Sequence, residues 1–479
     1  MLRSTSRIYA CLMILLVAAG ISFYVLQWPA ANGREDDDRA RDGTWTVAGG
    51  LLPTESPQVA GRRRRFRRSP GAPPPRRSTS LYYHKESVPS EFQQWISSAQ
   101  RTCSGRLIGY GQEFALLKSV VVDTEHCRCE RRGGEPISAV VNQDEAVEYC
   151  AADDGCFQLP CADFQPYSFN FENRHLNSWM GSLKTGRDVA GIDAYPVDEF
   201  TVVVQRYEYV NLYHTMTDWY NAFLVMQFFG QTPAQTNILI FDAHPYGSLD
   251  PVWPQLFNST VRLSALPSKS RFRRLVWSIV GYSSPMKIFM SPCPPLFEEF
   301  RSFFLSSFDV DADRRVDCAK LSVLFIFRRD YVAHPRNPSG FVVRKIGNEA
   351  RLIESVRQQV PELGGAVRGV QIDALPMRDQ LRLVVSSDIL VGVHGAGLTH
   401  AVFLPRGAAL LELAPNVMWS ASEHFEAIAS WRRLTYRRWT NNDVLMENES
   451  RGTLTVPPKV VVASLRTIRK QMCPDDASS

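Results

Sequence analysis

The chain has 479 residues, of which 44% are hydrophobic and 22% charged, and its formal net charge at pH 7 is +5. This is the composition of a globular protein long enough for two or three domains, and it excludes a largely disordered chain. Eight arginines within residues 62–77 carry the positive charge, so the remainder is net negative. The sequence therefore predicts no nucleic-acid partner, which would need basic side chains spread over a folded face.

The N-terminus predicts a membrane anchor. Residues 8–28 carry no charge, and as a helix they would extend about 31 Å, which matches a hydrocarbon core of about 30 Å. Arg3 and Arg7 precede this segment, so the positive-inside rule keeps residues 1–7 in the cytoplasm and sends the rest across. A cleaved signal peptide is the alternative, although its apolar core needs only about 7 to 15 residues. Either interpretation places most of the chain in the secretory pathway.

Residues 29–95 have the composition of a disordered stem. Their acidic run and the run "GRRRRFRRSPGAPPPRRSTS" cannot bury a core. The arginines also match the substrate of a basic-specific protease, which would release a soluble form. Beyond the stem we expect an N-terminal lobe over residues 96–318, with a cysteine-rich region, and a C-terminal lobe over residues 319–479.

The cysteines predict disulfides. Ten are present, and one of them, Cys11, lies in the predicted anchor. The spacing of the others, including "CRC", gives neither paired zinc knuckles nor matching histidine pairs, so bridges formed in an oxidising lumen are expected. Nine is an odd number, so at least one of these cysteines is free or intermolecular. Asn258 ("NST") and Asn448 ("NES") are candidate glycosylation sites.

In the N-terminal lobe, "FTVVV" predicts a strand, and an amphipathic helix is expected from about Thr215. The next strand, in "NILIFDAHPYG", ends in Asp and His, as expected at the carboxyl edge of a parallel sheet. In the C-terminal lobe, "LSVLFIFRRD" predicts a strand that ends at Arg328 and Arg329. The helix "GNEARLIESVRQQV" follows, with Asn348 as its expected N-cap.

The remaining elements continue this alternation. A helix ("DQLRLVVSSD"), two strands ("DILVGV" and "AALLELAP") and a helix ("SEHFEAIASWRRL") complete residues 319–440. Alternating strands and helices predict a doubly wound α/β domain with a parallel sheet.

A glycine-rich turn interrupts this pattern in "VGVHGAGLTHAVFLP". It lies where a buried strand ends and a helix is expected from about Leu398, which is where open α/β sheets bind ligands. Glycines let backbone N–H groups approach a ligand closely, and a helix N-terminus favours an anion. The turn therefore predicts a pyrophosphate site, and the alternative is a tight turn with two internally bonded histidines. The candidate residues are His394, Gly395, Ala396, Gly397, Leu398, Thr399 and His400.

Three further side chains are expected at the same crevice. Arg328 and Arg329 end another strand of the predicted sheet, and an arginine there bridges phosphate oxygens bidentately. Glu412 closes the strand after the turn, where a carboxylate accepts from ribose hydroxyls. Their alternatives are surface cations and a solvated edge carboxylate. Together with the turn, these residues predict a site for a nucleotide diphosphate sugar.

The motif "VGVHGAGLTHAVFLP" is similar to the signature of the family sixty-one glycosyltransferases. The segments "RYEYVNLYHTMTDWYNAF", "FIFRRDYVAHPRN" and "RKIGNEARL" resemble the core β-1,2-xylosyltransferase branch of that family. The resemblance, over roughly residues 200–440, implies a single-pass type II Golgi membrane enzyme of GT-B architecture, with two Rossmann-like lobes facing a cleft and a lumenal catalytic part. It implies inverting transfer of xylose from UDP-xylose to the β-mannose of the N-glycan core of glycoproteins.

Such an inversion needs one base for the acceptor hydroxyl and positive groups for the departing UDP. His214 and Asp218 are four residues apart at the start of a helix and are expected to face one side. Glu208 is a third candidate base. The alternative for the pair is a capping cluster. Candidate acceptor contacts are Asn211, Tyr213 and Trp219, although most helical aromatics are simply core.

No metal or cofactor is expected. The acidic run "DVDAD" (residues 309–313) superficially matches the Asp-x-Asp site of other glycosyltransferases, but it lies in a polar linker. Arginine, histidines and a helix terminus suffice for the diphosphate. Two other functions stay open: a sister activity with UDP-N-acetylglucosamine, and a glycan-binding protein without catalysis. A serine hydrolase is disfavoured because no G-x-S-x-G turn ends a strand.

Overall fold

The structure, a computed structural model, describes residues 88–164, 179–287, 293–415 and 423–474. All of them belong to one compact unit, Arg64–Ser479. The predicted tail, the predicted anchor and most of the predicted stem lie outside the described residues. Within the four described ranges, no helix combines the length and apolar composition needed to cross a membrane.

The fold is mixed α/β, and its first half is built around a ten-stranded sheet. The helices of this half are α1 (Ser90–Ser97), α2 (Leu212–Phe228), α3 (Trp253–Leu256) and α4 (Phe297–Ser307). The strands are β1 (Gln100–Thr102), β2 (Leu107–Tyr110), β3 (Phe114–Asp123), β4 (Cys127–Cys129), β5 (Cys150–Ala152), β6 (Phe157–Pro160), β7 (Leu183–Gly186), β8 (Tyr195–Val197), β9 (Phe200–Val204), β10 (Thr236–Ile240), β11 (Ser259–Arg262) and β12 (Lys269–Trp277).

The second half is built around a five-stranded sheet. Its helices are α5 (Glu349–Gln359), α6 (Met377–Val385), α7 (His424–Trp431) and α8 (Pro458–Met472), with a 3₁₀ helix at Ala396–Phe403. Its strands, together with those of a small accessory sheet, are β13 (Leu321–Ile326), β14 (Lys345–Ile346), β15 (Gly364–Val370), β16 (Ile389–Val393), β17 (Ala409–Ala414), β18 (Thr435–Thr440), β19 (Glu447–Asn448) and β20 (Thr453–Leu454).

Both sheets have a parallel centre. In the first, β12, β9, β10 and β11 run parallel in that order, and β3 pairs antiparallel with β12. In the second, the order β15-β13-β16-β17-β18 is parallel throughout. Counted along the chain, this is the 2-1-3-4-5 order of doubly wound sheets, so the predicted parallel α/β sheet is confirmed. Ligands bind such sheets outside the carboxyl ends of the strands at the switch point, here between β13 and β16.

Three helix starts and one helix cap differ from the sequence prediction. Helix α2 begins at Leu212, three residues earlier than expected, because the Asn211 side chain accepts from the Tyr213 N–H and caps it there. The helix after the glycine turn is a 3₁₀ helix that begins at Ala396 rather than an α-helix from Leu398. Asn348 precedes α5 without capping it, because its side chain bonds the backbone N and O of Val456. Helix α1 begins inside the predicted stem.

One hydrophobic core is continuous between the two halves of the fold. Helix α2 contributes Trp219, whose ring centroid is 5.3 Å from that of Phe304 in α4. Phe304 in turn lies 4.9 Å from Phe403 at the end of the 3₁₀ helix. All three side chains are buried, and fully burying a phenylalanine stabilises a fold by about 1.5–3 kcal/mol. The glycine turn is therefore anchored through its own helix to the first half.

Four disulfides confirm the interpretation of the cysteines. Cys293 lies outside these bridges, as the odd count requires, and Cys11 lies outside the described residues. The last bridge joins the segment before β13 to the residue after α8. The pairs are Cys103–Cys161, Cys127–Cys156, Cys129–Cys150 and Cys318–Cys473.

Replacing Cys318 and Cys473 together by serine is expected to lower the free energy of unfolding by roughly 2–4 kcal/mol, because this bridge closes a long loop in the unfolded chain. Chemical denaturation followed by tryptophan fluorescence measures the change. The matched pair, Cys129→Ser with Cys150→Ser, opens a separation of only 21 residues rather than 155 and should cost less. If the variant without Cys318 and Cys473 unfolds at the same denaturant concentration as the native protein, the assignment of this disulfide is contradicted.

Candidate functional site

A cleft opens at the switch point of the second sheet. The space between its walls, including open solvent at the mouth, is about 680 Å³. The first half contributes Val210, Ser248 and Leu249, which follow β9 and β10, and the second half contributes Arg328 and Gly397 among others. The cleft therefore joins the carboxyl edges of both parallel sheets, which is where the strand order predicts a ligand.

Arg328 packs directly against the glycine turn. It stands two residues beyond β13, and its Nε donates to the Val343 carbonyl at 3.0 Å. A Cβ placed on Gly395 would lie 2.4 Å from the Arg328 Nη1, and one on Gly397 would lie 3.2 Å from the Ile326 side chain. A side chain at position 395 would therefore displace the guanidinium from its present position. Within the described ranges Arg328 takes part in no ion pair, which leaves its charge available to an anion.

A second arginine, Arg344, reaches the same turn. Its Nη1 donates to the His394 carbonyl at 2.8 Å. Burial and the nearby Arg328 lower the pKa of Arg344 to about 10, so both guanidiniums are charged at neutral pH. Two neighbouring buried cations favour an anion between or beside them. Sequence reasoning missed Arg344, which follows no predicted strand and stands in the positive-φ region, at φ 63°.

His394 is held by a buried carboxylate. Its Nδ1 lies 2.5 Å from Glu412 Oε1, and Tyr436 donates its hydroxyl to Glu412 Oε2 at 2.6 Å. Glu412 is fully buried, which excludes the alternative of a solvated edge carboxylate. Because both oxygens already accept from protein groups, Glu412 orients the His394 ring in this structure. Its contact with ribose stays a prediction.

The other residues of the turn divide between the cleft and the core. Ala396, Gly397 and His400 line the cleft, whereas Leu398 and Thr399 are buried. The two ring nitrogens of His400 lie 2.8 Å from the Gly397 carbonyl and 2.9 Å from Gln380 Oε1. Burial lowers the pKa of His400 to about 4, so it is uncharged at neutral pH.

Arg329 also lines the cleft, but its side chain has a different partner from that of Arg328. Its side chain is 54% exposed, and its Nη2 makes a 2.7 Å ion pair with Glu349. Successive side chains at the end of a strand point to opposite sides, so only Arg328 of the two predicted arginines points toward the turn.

Of the candidate bases, His214 has the most suitable environment. It is half-buried at the start of α2, and burial lowers its pKa against the opposing effect of Glu208. His424 lies at the start of α7. Burial lowers its pKa, and the nearby His394 and His214 rings lower it further. His424 was not predicted, because nothing in "SEHFEAI" distinguishes it from a surface histidine. The structure thus gathers three histidines beside Glu412.

The two carboxylate candidates are placed differently. Asp218 is 2% exposed, and burial raises its pKa well above its usual range against the opposing effect of Arg206, which disfavours the charged carboxylate. Glu208 Oε1 accepts from the backbone N–H groups of Tyr209 and Val210. Its Oε2 lies 3.3 Å from Arg336 and 3.5 Å from His334. Both oxygens of Glu208 are therefore engaged, whereas among the described residues Asp218 Oδ2 is buried without a hydrogen-bond partner.

The candidate acceptor contacts have structural roles. Asn211 caps α2, Tyr213 donates its hydroxyl to the Met286 carbonyl at 3.2 Å, and Trp219 is fully buried. Of the two candidate glycosylation sites, Asn258 donates its amide to Asn237 at 3.0 Å, whereas Asn448 is exposed. The geometry favours Asn448.

The "DVDAD" run lies on the surface, where Asp309 pairs with Arg378 at 2.9 Å. In the part of the chain that the structure describes, no three His, Cys, Asp or Glu side chains are grouped so that they could hold a metal ion. Metal independence stays a prediction.

The chain is similar to known sugar transferases. The family model described as Glycosyltransferase 61 matches residues 195–411. A β-1,2-xylosyltransferase of Oryza sativa subsp. japonica is 27% identical over 342 residues, 64% of this chain and 63% of that enzyme. The β-1,2-xylosyltransferase of Arabidopsis thaliana is 26% identical, over 64% of this chain and 69% of that enzyme. The EGF domain-specific O-linked N-acetylglucosamine transferase of Gallus gallus is 27% identical, over 50% of this chain and 45% of that enzyme. The chain thus spans less than two thirds of the rice relative.

Replacing Arg328 by alanine is expected to weaken pyrophosphate binding roughly ten- to a hundredfold, because a charge-assisted bidentate contact is lost. Replacing Arg329 by alanine should have little effect, because its guanidinium faces Glu349. Isothermal titration calorimetry with inorganic pyrophosphate compares the two variants. Equal losses, or no loss with Arg328→Ala, contradict the site.

Proposed function

We propose that the chain belongs to glycosyltransferase family 61, whose model matches residues 195–411, and that it transfers xylose from UDP-xylose to the β-mannose of an N-glycan core with inversion. The choice of donor is supported by the extent of the matches. The two plant β-1,2-xylosyltransferases match 64% of the chain, whereas the chicken N-acetylglucosamine transferase matches 50%.

The single observation that carries this proposal is the approach of Arg328 to Gly395 at the switch point. Glycosyl transfer releases UDP, so negative charge on the diphosphate increases as the bond to the sugar breaks. Arg328 and Arg344, fixed beside the turn before reaction, stabilise that charge without reorganising. Glu412 holds the His394 ring, and the backbone at Ala396 and Gly397 is open to phosphate oxygens. A metal ion is not required by this arrangement.

His214 is the base in this mechanism. An inverting displacement needs a group that takes the proton of the acceptor hydroxyl as the new bond forms. A histidine whose pKa is lowered by burial is available to accept a proton at neutral pH, whereas burial disfavours the charged form that Asp218 would need to act as a base. Glu208 already accepts four contacts at its two oxygens and holds neighbouring groups in place.

The proposal includes the GT-B arrangement and a Golgi location. Each half of the described chain contains a sheet with parallel central strands, and segments that follow strands of both sheets line the cleft, as two facing Rossmann-like lobes require. Four disulfides agree with a lumenal catalytic part. The uncharged segment 8–28 supplies the type II anchor in this account.

A sister activity with UDP-N-acetylglucosamine is the second candidate, and the match to the chicken enzyme favours it. Xylose lacks the hydroxymethyl group and the acetamide of N-acetylglucosamine, so the two donors differ in the volume that they need beside the diphosphate.

A transfer assay separates these candidates. The full-length protein is offered UDP-xylose or UDP-N-acetylglucosamine with a core N-glycan in the presence of EDTA, and the product is weighed by mass spectrometry. We expect a single pentose increment. An increment only with UDP-N-acetylglucosamine supports the sister activity, and transfer only after Mn²⁺ is added contradicts metal independence.

Replacing His214 by alanine is expected to lower kcat by ~10²–10⁴, the usual contribution of a positioned base. Replacing Asp218 by asparagine should keep most of the activity, because burial already disfavours the charged form of this carboxyl group. Steady-state kinetics of the two variants measures this contrast. A larger loss with Asp218→Asn than with His214→Ala contradicts the assignment.

The pH profile provides an independent check. A base acts when unprotonated, and burial lowers the pKa of His214 below its ordinary value of about 6.5. We therefore expect kcat/KM to stay constant as pH falls to about 6.5 and to decline only at lower pH. The residual activity of His214→Ala should lack this decline, and a profile that falls already above neutral pH would contradict His214 as the base.

A further inference from the structure

The cysteine-rich region lies along a ligand-binding edge of the first sheet. We call residues 127–156 the clamped segment, because Cys127–Cys156 and Cys129–Cys150 close it. Its Glu148 carbonyl accepts from the Ala243 N–H at 2.9 Å, and its Glu148 carboxylate lies 2.7 Å from His244 Nδ1. Ala243 and His244 follow β10, so the clamped segment covers the carboxyl edge of a parallel sheet, where ligands bind.

An exposed aromatic ring lies between this segment and the proposed base. Tyr207, three residues beyond β9, is 48% exposed, and its ring centroid is 5.1 Å from that of His214. Its backbone is fixed, because Tyr149 of the clamped segment donates its hydroxyl to the Tyr207 carbonyl at 3.2 Å. A fixed backbone that presents an exposed ring beside the base provides a stacking surface at low entropic cost.

Charged side chains of complementary type lie near the Tyr207 backbone, because the Tyr149 hydroxyl is also 3.2 Å from Glu145 Oε1. Glu145 of the clamped segment is 46% exposed and lies 3.7 Å from Arg336, which is 33% exposed. Arg336 also lies 3.3 Å from Glu208, the residue after Tyr207. A carboxylate accepts hydrogen bonds and a guanidinium donates them, and the vicinal hydroxyls of a sugar offer both roles. Three separate stretches of chain thus bring one aromatic ring and two planar polar groups together.

We propose that Tyr207, Glu145 and Arg336 form a subsite for a neutral sugar ring of the acceptor glycan, next to the ring that receives the transferred sugar. The inference rests on the proposed glycosyl transfer with His214 as base. The clamped segment then has a specific role, because its disulfides hold Glu145 and Tyr149 in position for acceptor binding. Arg336 contributes from the other half of the chain.

Steady-state kinetics of the full-length protein tests the subsite. Replacing Tyr207 by alanine should raise the KM for the core N-glycan roughly tenfold, with the KM for the donor and the kcat at saturating glycan unchanged. Replacing Tyr207 by phenylalanine keeps the ring and should keep the native KM. Arg336→Gln should also raise the glycan KM selectively.

The matched control is Tyr246→Ala, which should leave all three constants unchanged. Tyr246 is 52% exposed and follows β10, but its electrostatic neighbours are Asp250 and Arg262 rather than His214. An unchanged glycan KM in both Tyr207→Ala and Arg336→Gln overturns the subsite, as does a parallel rise in the donor KM in both.

Failure of the subsite can be distinguished from failure of the proposed function. If the native protein transfers neither sugar, the proposed function fails, and saturation-transfer NMR with the same core N-glycan tests the subsite alone. Glycan signals that are lost in Tyr207→Ala but kept in Tyr246→Ala support the subsite. Equal signals in both variants, or none in the native protein, overturn it.

Discussion

Arg328 contacts Gly395 at the switch point of the second sheet, between β13 and β16. The shape of the cleft depends on this contact. The guanidinium needs the space that a Cβ on Gly395 would occupy, at 2.4 Å from Nη1. Strands β13 and β16, which carry the two residues to this edge, are neighbours in the sheet. The strand order therefore determines that an arginine and an open backbone lie side by side.

The first half forms the other wall of the cleft. Buried ion pairs hold the loops of this wall in place. Arg206, just beyond β9, lies 2.7 Å from Asp242 and 3.0 Å from Asp250, and Arg262 joins the same Asp250 at 3.0 Å. Burial acts to raise the pKa of Asp242, but these arginines hold that pKa below its usual range. Removing one partner of such a buried pair costs about 3–5 kcal/mol. The ion pairs thereby stabilise the loops after β9 and β10, which contribute Val210 and Ser248 to the cleft.

Much of the second half could be predicted from the sequence, because its central strands are continuous apolar runs that end in Gly, Arg or Glu. Strands β15 and β18 were missed because they are edge strands, whose partly exposed residues ("GGAVRGV" and "TYRRWT") show no buried pattern. Spacing placed His214 and Asp218 on one helical face. It could not show which face meets the cleft, because α2 is buried nearly all round. Arg344 and His424 depend on tertiary approach alone.

The crystal structure of the protein with UDP bound tests the central claim most directly. The account predicts that the diphosphate lies at the switch point, with its oxygens within hydrogen-bond distance of the Arg328 guanidinium and of the backbone N–H groups at Ala396 and Gly397. A diphosphate bound elsewhere in the cleft, with Arg328 still directed only at the Val343 carbonyl, would contradict the account.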